Sequence, residues 1–285
     1  MEEIYLKKYT DKIIETVYKH LPREEKDWIL TGFINQDKDI YTFGNDSKII
    51  GRLFEVLAFD ALNSAAKELG YVLGESEKQT VYPDFYFQKP DGKLIAIDIK
   101  TTYRKSKNAR YGFTGGSFTS YMRNGTKNIH GIYDNYDAHY ILGIVYTREK
   151  KPSTGKFSID GLSKIVPAYK DIEFFIQEKY RICGESKGSG NTDNIGTITS
   201  NNLGPFLFGA GPFSYLGENV FHEYWTNYPR YKDSDNVKNS LYTTIPGFIS
   251  WVGQKNKDIA KDLTEKYNKY LIEYQELDLK NWEEQ

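Results

Sequence analysis

The chain has 285 residues, 39% of them apolar and 15% aromatic, enough to bury one substantial α/β core. Its 38 Lys and Arg are matched by 39 Asp and Glu, so no bulk positive field draws it to a polyanion, and any nucleic-acid surface must come from segregated charge. The one cysteine, Cys183, excludes an internal disulfide framework and a Cys-rich zinc site.

The first twenty residues read as an amphipathic helix, with Ile4, Leu6, Ile13, Ile14, Val17 and Leu21 set among charges. Charges at Glu2, Glu3, Lys7 and Lys8 and the lack of any run of eighteen apolar residues argue against a signal peptide or a membrane span; a cytoplasmic location is expected. A short strand is expected near Asp39 to Phe43. Capping chemistry at Gly44 to Ser47 then leads into a helix whose Ile50, Leu53, Phe54, Leu57, Leu62, Ala65 and Leu69 repeat at three-to-four spacing until Gly70. Asp84 to Gln88, a turn through Pro90, Asp91 and Gly92, and Leu94 to Lys100 carry the signature of a β-hairpin. Tyr140 to Tyr146 reads as a buried strand, and Ile172 to Ile182 as a strand pair or a strand with an irregular edge. Gly184 to Gly196 reads as a polar loop, and Gly204 to Gly217 is glycine-rich and studded with Phe206, Phe208, Phe213 and Tyr215. Ile259, Leu263, Tyr267, Tyr270, Leu271 and Tyr274 mark a C-terminal amphipathic helix. The expected organisation is one domain over 1–285, ending in a helical extension over 251–285.

Basic stretches occur at Arg104, Lys105, Lys107 and Arg110 and at Arg148, Lys150 and Lys151, which charge alone reads equally well as solvated loops. The four histidines are scattered, with no pair at helical metal-ligand spacing. The hairpin is more informative. Alternation in the second strand sends Asp98 and Lys100 to one face and Ile95, Ile97 and Ile99 to the other. A turn centred on Asp91 sets Phe85 opposite Ile97 and Asp84 opposite Asp98. Opposed carboxylates with Cβ atoms about 5 Å apart repel, and a bound cation is the natural compensation. Oxygen ligands without Cys or His suit Mg²⁺, which would polarise a phosphate and activate a water while Lys100 stabilises negative charge. The pattern Pro83-Asp84, thirteen residues, Asp98-Ile99-Lys100 is permissive by itself, and an exposed hairpin with a Lys–Asp pair is the alternative. By pattern Glu55 is a surface glutamate. The loop at 188–192 lacks the ending of a phosphate-binding P-loop; Asn191 could pair with adenine in a major groove, and a plain solvent loop is the alternative.

Longer blocks carry a resemblance. Tyr82-Pro83-Asp84-Phe85, Ile95 to Tyr103, Arg123-Asn124 with Thr126 to Ile129, and Gly188 to Thr192 with Asn194-Ile195-Gly196 resemble the EcoRV family of type II restriction endonucleases, within the PD-(D/E)xK nuclease superfamily. The similarity runs from about Ile40 to Arg230. It implies a restriction-endonuclease-like α/β fold, with a central mixed sheet flanked by helices and a catalytic hairpin. It also implies a U-shaped homodimer on double-stranded DNA and Mg²⁺-dependent cleavage in the middle of GATATC to leave blunt ends. Asp84, Asp98 and Lys100 fall on catalytic positions, Glu55 on an auxiliary acidic one, and the metal would lie among Asp84, Asp98, Glu55 and Ile99. Gly188, Ser189, Gly190, Asn191, Thr192 and Asn194 match a loop reading bases in the major groove, Gln79 a minor-groove loop, and Ser47, Lys48, Lys127 and Arg230 positions near the DNA backbone or dimer interface. Thr80-Val81 and the neighbours of Arg230 depart from the pattern. A methyltransferase acting on the same site is the implied companion. A structure-directed repair nuclease of the same superfamily and a DNA-binding module without hydrolysis are the rival readings.

Overall fold

The structure is a computed structural model and describes residues 10–106, 108–188, 193–229 and 242–278. Helix α1 (Lys12–His20) starts where the Asp11 side chain accepts from the Ile14 amide at 2.8 Å, and it buries Ile13, Ile14 and Val17. The helix expected over the first twenty residues is thus seen from Lys12; residues 1–9 lie outside the described residues. Strands β1 (Phe33–Ile34) and β2 (Asp39–Tyr41) form a short antiparallel ribbon. Helix α2 (Ser47–Leu69) is capped at its start by the Asp46 side chain and ended by Gly70 at φ +74°, a left-handed conformation that glycine adopts without strain. Strands β3 (Val72–Glu75), β4 (Phe85–Gln88) and β5 (Leu94–Arg104) follow, then β6 (Thr114–Ser117), helix α3 (Tyr121–Asn124), β7 (Tyr136–Arg148), β8 (Lys156–Ser158) and β9 (Tyr169–Glu178).

The stretch expected as a strand pair or irregular strand is β9 followed by one helical turn, α4 (Lys179–Ile182), with a register shift between Val145 and Thr147 of its partner β7. The expected loop at Gly184 to Gly196 is largely a hairpin, β10 (Cys183–Lys187) against β11 (Asn194–Thr197). Its polar composition misled because these strands are short and half-exposed. The glycine-rich aromatic stretch forms two helical turns, α5 (Gly204–Leu207) and α6 (Phe213–Leu216), burying Phe206 and Phe213. Helices α7 (Glu218–Asn227), α8 (Ile245–Gly253) and α9 (Lys257–Asp278) complete the chain. In α9 the inward positions are Leu263, Tyr270 and Glu273, whereas Ile259 and Leu271, expected on the apolar stripe, are exposed.

The central sheet has the order β3-β4-β5-β7-β9, with β5 and β7 parallel and the other pairs antiparallel. On one face, α1 and α2 cover Ile95, Ile97 and Ile99 of β5 and Leu142, Ile144 and Tyr146 of β7. On the other, Leu94 and Ala96 join Phe118, Tyr121, Phe213, Trp225 and Phe248 in a second core, and Ile141 and Val145 join Phe113, Phe175 and Phe206 in a third. A second sheet, β10-β11-β6, and a small one, β1-β2-β8, flank this body. The architecture is therefore α/β with a mixed central sheet between helices. Among the described residues no helix is long and apolar enough to cross a membrane.

Candidate active site

Strand β5 is covered on both sides, so alternation divides its side chains between two environments. The face that begins with Leu94 and Ala96 in the second core changes chemistry at Asp98 and Lys100, where a cavity of about 310 Å³ opens. Asp84, at the entry to β4, reaches the same cavity. The observed register pairs Phe85 with Ile97, as the sequence suggested, and one further step along the ladder sets Asp84 against Asp98. Asp84 Oδ2 accepts from the Ile99 amide at 2.7 Å, a side-chain bond that continues the ladder where the strand itself stops.

Lys100 Nζ lies 2.7 Å from Asp98 Oδ2 and 3.5 Å from the Ile99 carbonyl oxygen. Asp98 is only 3% exposed, and its Oδ2 is buried without an aligned hydrogen bond, so the ammonium offsets its charge while leaving its lone pairs poorly satisfied. Burial, and after it the Asp98 charge, push the Asp84 carboxyl up to about 7; Lys100 opposes the shift and Glu55 adds to it. For Lys100, burial works to lower the pKa, but the Asp98 and Asp84 charges prevail and hold it above the ordinary lysine value.

These residues fit a divalent cation. A poorly satisfied buried carboxylate oxygen and a neighbouring carboxyl that resists ionisation would both be relieved by one. Among the described residues no group of three or more His, Cys, Asp or Glu is gathered to hold a metal ion. The donor set is thus two carboxylates with the Ile99 carbonyl beside them, the sparse oxygen set that suits a cation retaining most of its waters.

Glu55 sits on α2, paired with Arg52 one turn before it, and lines a neighbouring cavity of about 130 Å³ with Gln79 and Asp84. It is close enough to act on Asp84 through charge, while its carboxylate is turned to Arg52 and is not gathered with the two aspartates. Gln79 borders both cavities and Lys127 lines the larger one. Ser47 and Lys48 are exposed in the first turn of α2. Gly188 and Asn194 close the β10–β11 hairpin, the Gly188 amide donating to the Asn194 carbonyl at 2.8 Å, and Asn194 pairs with Ser117 of β6, itself in the wall of the aspartate cavity. Ser189, Gly190, Asn191, Thr192 and Arg230 lie outside the described residues.

Of the basic stretches, Arg104 pairs with Glu173, Arg110 donates to the Thr199 carbonyl at 2.5 Å, and Arg148 lies 3.6 Å from the Tyr103 ring centre, so these arginines brace the protein internally; Lys107 lies outside the described residues. Sequence reasoning quoted Tyr82 only as part of a motif, without a role, and missed Tyr121 and Lys179, all in or behind the cavity wall. Tyr82 and Tyr121 stack at 4.2 Å, and the buried Lys179 donates to the Tyr121 hydroxyl at 2.9 Å. Tyr82 adjoined the Pro83-Asp84 motif and could have been found there; Lys179, in the run Glu178-Lys179-Tyr180-Arg181, reads as surface and gave no signal.

A mixed sheet between helices, with two acidic groups and a lysine brought together across an edge-ward hairpin, defines a restriction-endonuclease-like fold. The chain belongs to the restriction endonuclease EcoRV family, whose model matches residues 24–253. It is 38% identical over 238 residues to the type II restriction enzyme EcoRV of Escherichia coli, a match covering 82% of this chain and 95% of that one. The family is one of type II restriction endonucleases, hydrolytic enzymes that cut DNA at specific sites. The family match stops at the last residue of α8, so α9 lies wholly beyond it.

Proposed function

We propose that this protein hydrolyses double-stranded DNA at a palindrome, GATATC cut to blunt ends, as a Mg²⁺-dependent homodimer. The observation that carries the reading is the convergence of Asp84, Asp98 and Lys100 on one cavity. Asp84, Asp98 and the Ile99 carbonyl would hold the cation, with Glu55 acting on it from the adjoining cavity. Bound Mg²⁺ supplies polarisation of the phosphate and a water of lowered pKa. Lys100, kept protonated by Asp98 and Asp84, stabilises the negative charge that grows as the water oxygen attacks phosphorus and the P–O bond to the departing sugar oxygen breaks. To hold the cation Asp84 would have to be ionised, which burial and then the Asp98 charge oppose by raising its pKa to about 7.

Recognition is assigned to the loop closed by Gly188 and Asn194, with Ser189, Gly190, Asn191 and Thr192 reading bases from the major groove. Gln79 approaches the minor groove, and Ser47, Lys48, Lys127 and Arg230 lie along the backbone or the dimer seam. A palindrome suits a twofold dimer that presents one site to each strand. Support for a second copy comes from apolar side chains left exposed on and beside the small sheet, among them Phe33 at 50%, Ile34 at 61% and Leu162 at 46%. We read the chain as one domain, since β5 contributes to the cores on both faces of the central sheet. A methyltransferase protecting the same sequence is its expected companion.

Digestion of a mapped plasmid with Mg²⁺, followed by sequencing of the ends, tests the reading. Blunt ends within GATATC are expected. Cutting confined to junctions or mismatches would mean a repair nuclease, and binding without any product would mean a DNA-binding module.

A further inference from the structure

The proposed reaction leaves one buried cation unused. Lys179 opens α4 directly after β9 and is 1% exposed, the only lysine or arginine fully buried among the described residues. No carboxylate pairs with it there. Its Nζ donates to Tyr121 Oη at 2.9 Å and lies 4.8 and 4.9 Å from the ring centres of Tyr82 and Tyr121. Burial pulls its pKa down to about 8 against the pull of Cys183 and Asp98. A methionine of similar length would fill the same space without a desolvated charge, so packing alone does not account for an ammonium here.

The partner of that ammonium, Tyr121, is only 3% exposed yet borders the site. Tyr121 lines the cavity that holds Asp84, Asp98 and Lys100. Tyr82 lines it too, but its hydroxyl is engaged with His139 Nδ1 at 2.9 Å. The Tyr121 oxygen accepts from Lys179, which leaves its own hydrogen to donate, and no acceptor among the described residues takes it. The backbone at Gly116 hems the oxygen in: a Cβ there would stand 2.2 Å from Tyr121 Oη, so any larger residue would displace the hydroxyl. Burial, then the charges of Asp98, Tyr133 and other neighbours, hold the phenol proton on at all working pH.

We infer that Lys179 is a positioning residue that fixes the Tyr121 hydroxyl, so that the tyrosine O–H donates to a non-bridging oxygen of the phosphodiester held against Asp84, Asp98 and Lys100. The inference rests on the reading of that cavity proposed above. A donor already polarised by an ammonium is a stronger donor, and it adds to the cavity a hydrogen-bonding group that carries no charge of its own.

The test uses Tyr121→Phe and Lys179→Met in single-turnover cleavage of duplexes with the cleaved sequence, carrying oxygen or an Rp or Sp phosphorothioate at the scissile position. Each variant is expected to cut the oxygen duplex about 10- to 100-fold more slowly, with binding of the same duplex in Ca²⁺ unchanged. Sulfur at one of the two positions should slow the wild type, and that sensitivity should shrink in both variants, which a purely structural role would not produce. The double variant should be no slower than Tyr121→Phe alone. Wild-type rates in a variant that melts normally, an unchanged sulfur effect, or losses that multiply in the double variant would each overturn the inference. Tyr121→Phe keeps the ring and its stack, so it decides the matter should Lys179→Met fail to fold. Asp98→Ala separates the two ideas: if it cuts normally the cavity assignment fails, whereas an inactive Asp98→Ala beside a normal Tyr121→Phe removes only the role of Lys179 and Tyr121.

Discussion

The two faces of β5 are built to opposite rules on one backbone. Toward α1 and α2, Ile95, Ile97 and Ile99 are all buried in a wholly apolar core. On the other face Leu94 and Ala96 are buried in the same manner, yet two residues later the strand offers Asp98 and Lys100 to a cavity. The apolar face supplies the adhesion, each isoleucine contributing about 1.5–3 kcal/mol by leaving water. The polar face sets two carboxyls close together, with the Lys100 ammonium offsetting part of their repulsion and that adhesion holding the strand in place beneath them. Placing reactive groups on a central strand rather than a loop limits their freedom to move apart.

The largest effect that would break this contrast is on the polar face. Asp98→Ala is expected to reduce Mg²⁺-dependent cleavage by about a thousandfold or more, as loss of a metal-holding and charge-organising group does, while the protein still binds its duplex. Near wild-type cutting by the purified variant in a gel assay would remove Asp98 from the chemistry.

The matching change on the apolar face is Ile97→Ala, which removes a fully buried side chain from beneath the same strand. A loss of about 3 kcal/mol is expected from transfer and cavity terms, seen as a melting temperature about 6 °C lower. The folded fraction should cut at close to the wild-type rate. A large loss of rate without loss of stability would show that the two faces are not separable in this way.

How far these two faces could be read in advance follows from the same contrast. Period-two alternation and a turn at Asp91 were enough to derive both the register of β4 on β5 and the meeting of Asp84 with Asp98, because strand geometry is local. Capping at Asp46 and Gly70 likewise bounded α2. The hairpin of β10 and β11 was not legible, since its strands are short, half-exposed and rich in Gly and Ser, and the other side of β11 pairs with β6 from far along the chain. Helices α7 and α8 also went unread, although their Phe221, Trp225 and Phe248 are buried in the second core. Lys179 was illegible for a related reason: only the tertiary fold turns a residue from a charged run into a buried neighbour of Tyr82 and Tyr121.

A smaller effect probes the repulsion itself. A carboxyl whose pKa in the fold exceeds its unfolded value favours the fold while it is protonated. For Asp84 that contribution is complete below about 3.8 and is lost as pH rises to about 7, above which two opposed charges strain the metal-free protein. Asp84→Asn should therefore melt above the wild type at pH 8 without metal, by about 2 kcal/mol after screening, and match it near pH 4. The half-saturating Mg²⁺ concentration of the wild type should fall about tenfold per pH unit below 7 and level off beyond it, as expected when one proton is displaced. A flat dependence across this range would mean that Asp84 ionises freely without the cation.

The smallest effect concerns Glu55, which stands at the edge of the contrast. Its carboxylate is engaged by Arg52 on the same helix, and that pair is partly exposed, with 48% and 20% of the two side chains accessible. Loss of such a pair costs stability only about 0.3–0.5 kcal/mol, so Glu55→Gln should melt within a degree or so of the wild type. Because Glu55 acts on Asp84 through charge and is not gathered with the two aspartates, its neutralisation should slow cleavage far less than Asp98→Ala does, and should ease the ionisation of Asp84. The pH at which Mg²⁺ affinity levels off would then move down in the variant. If instead Glu55→Gln cut as poorly as Asp98→Ala, the carboxylate would have to leave Arg52 and turn into the metal cavity, and the site would comprise three acidic ligands drawn from a helix and both arms of the hairpin.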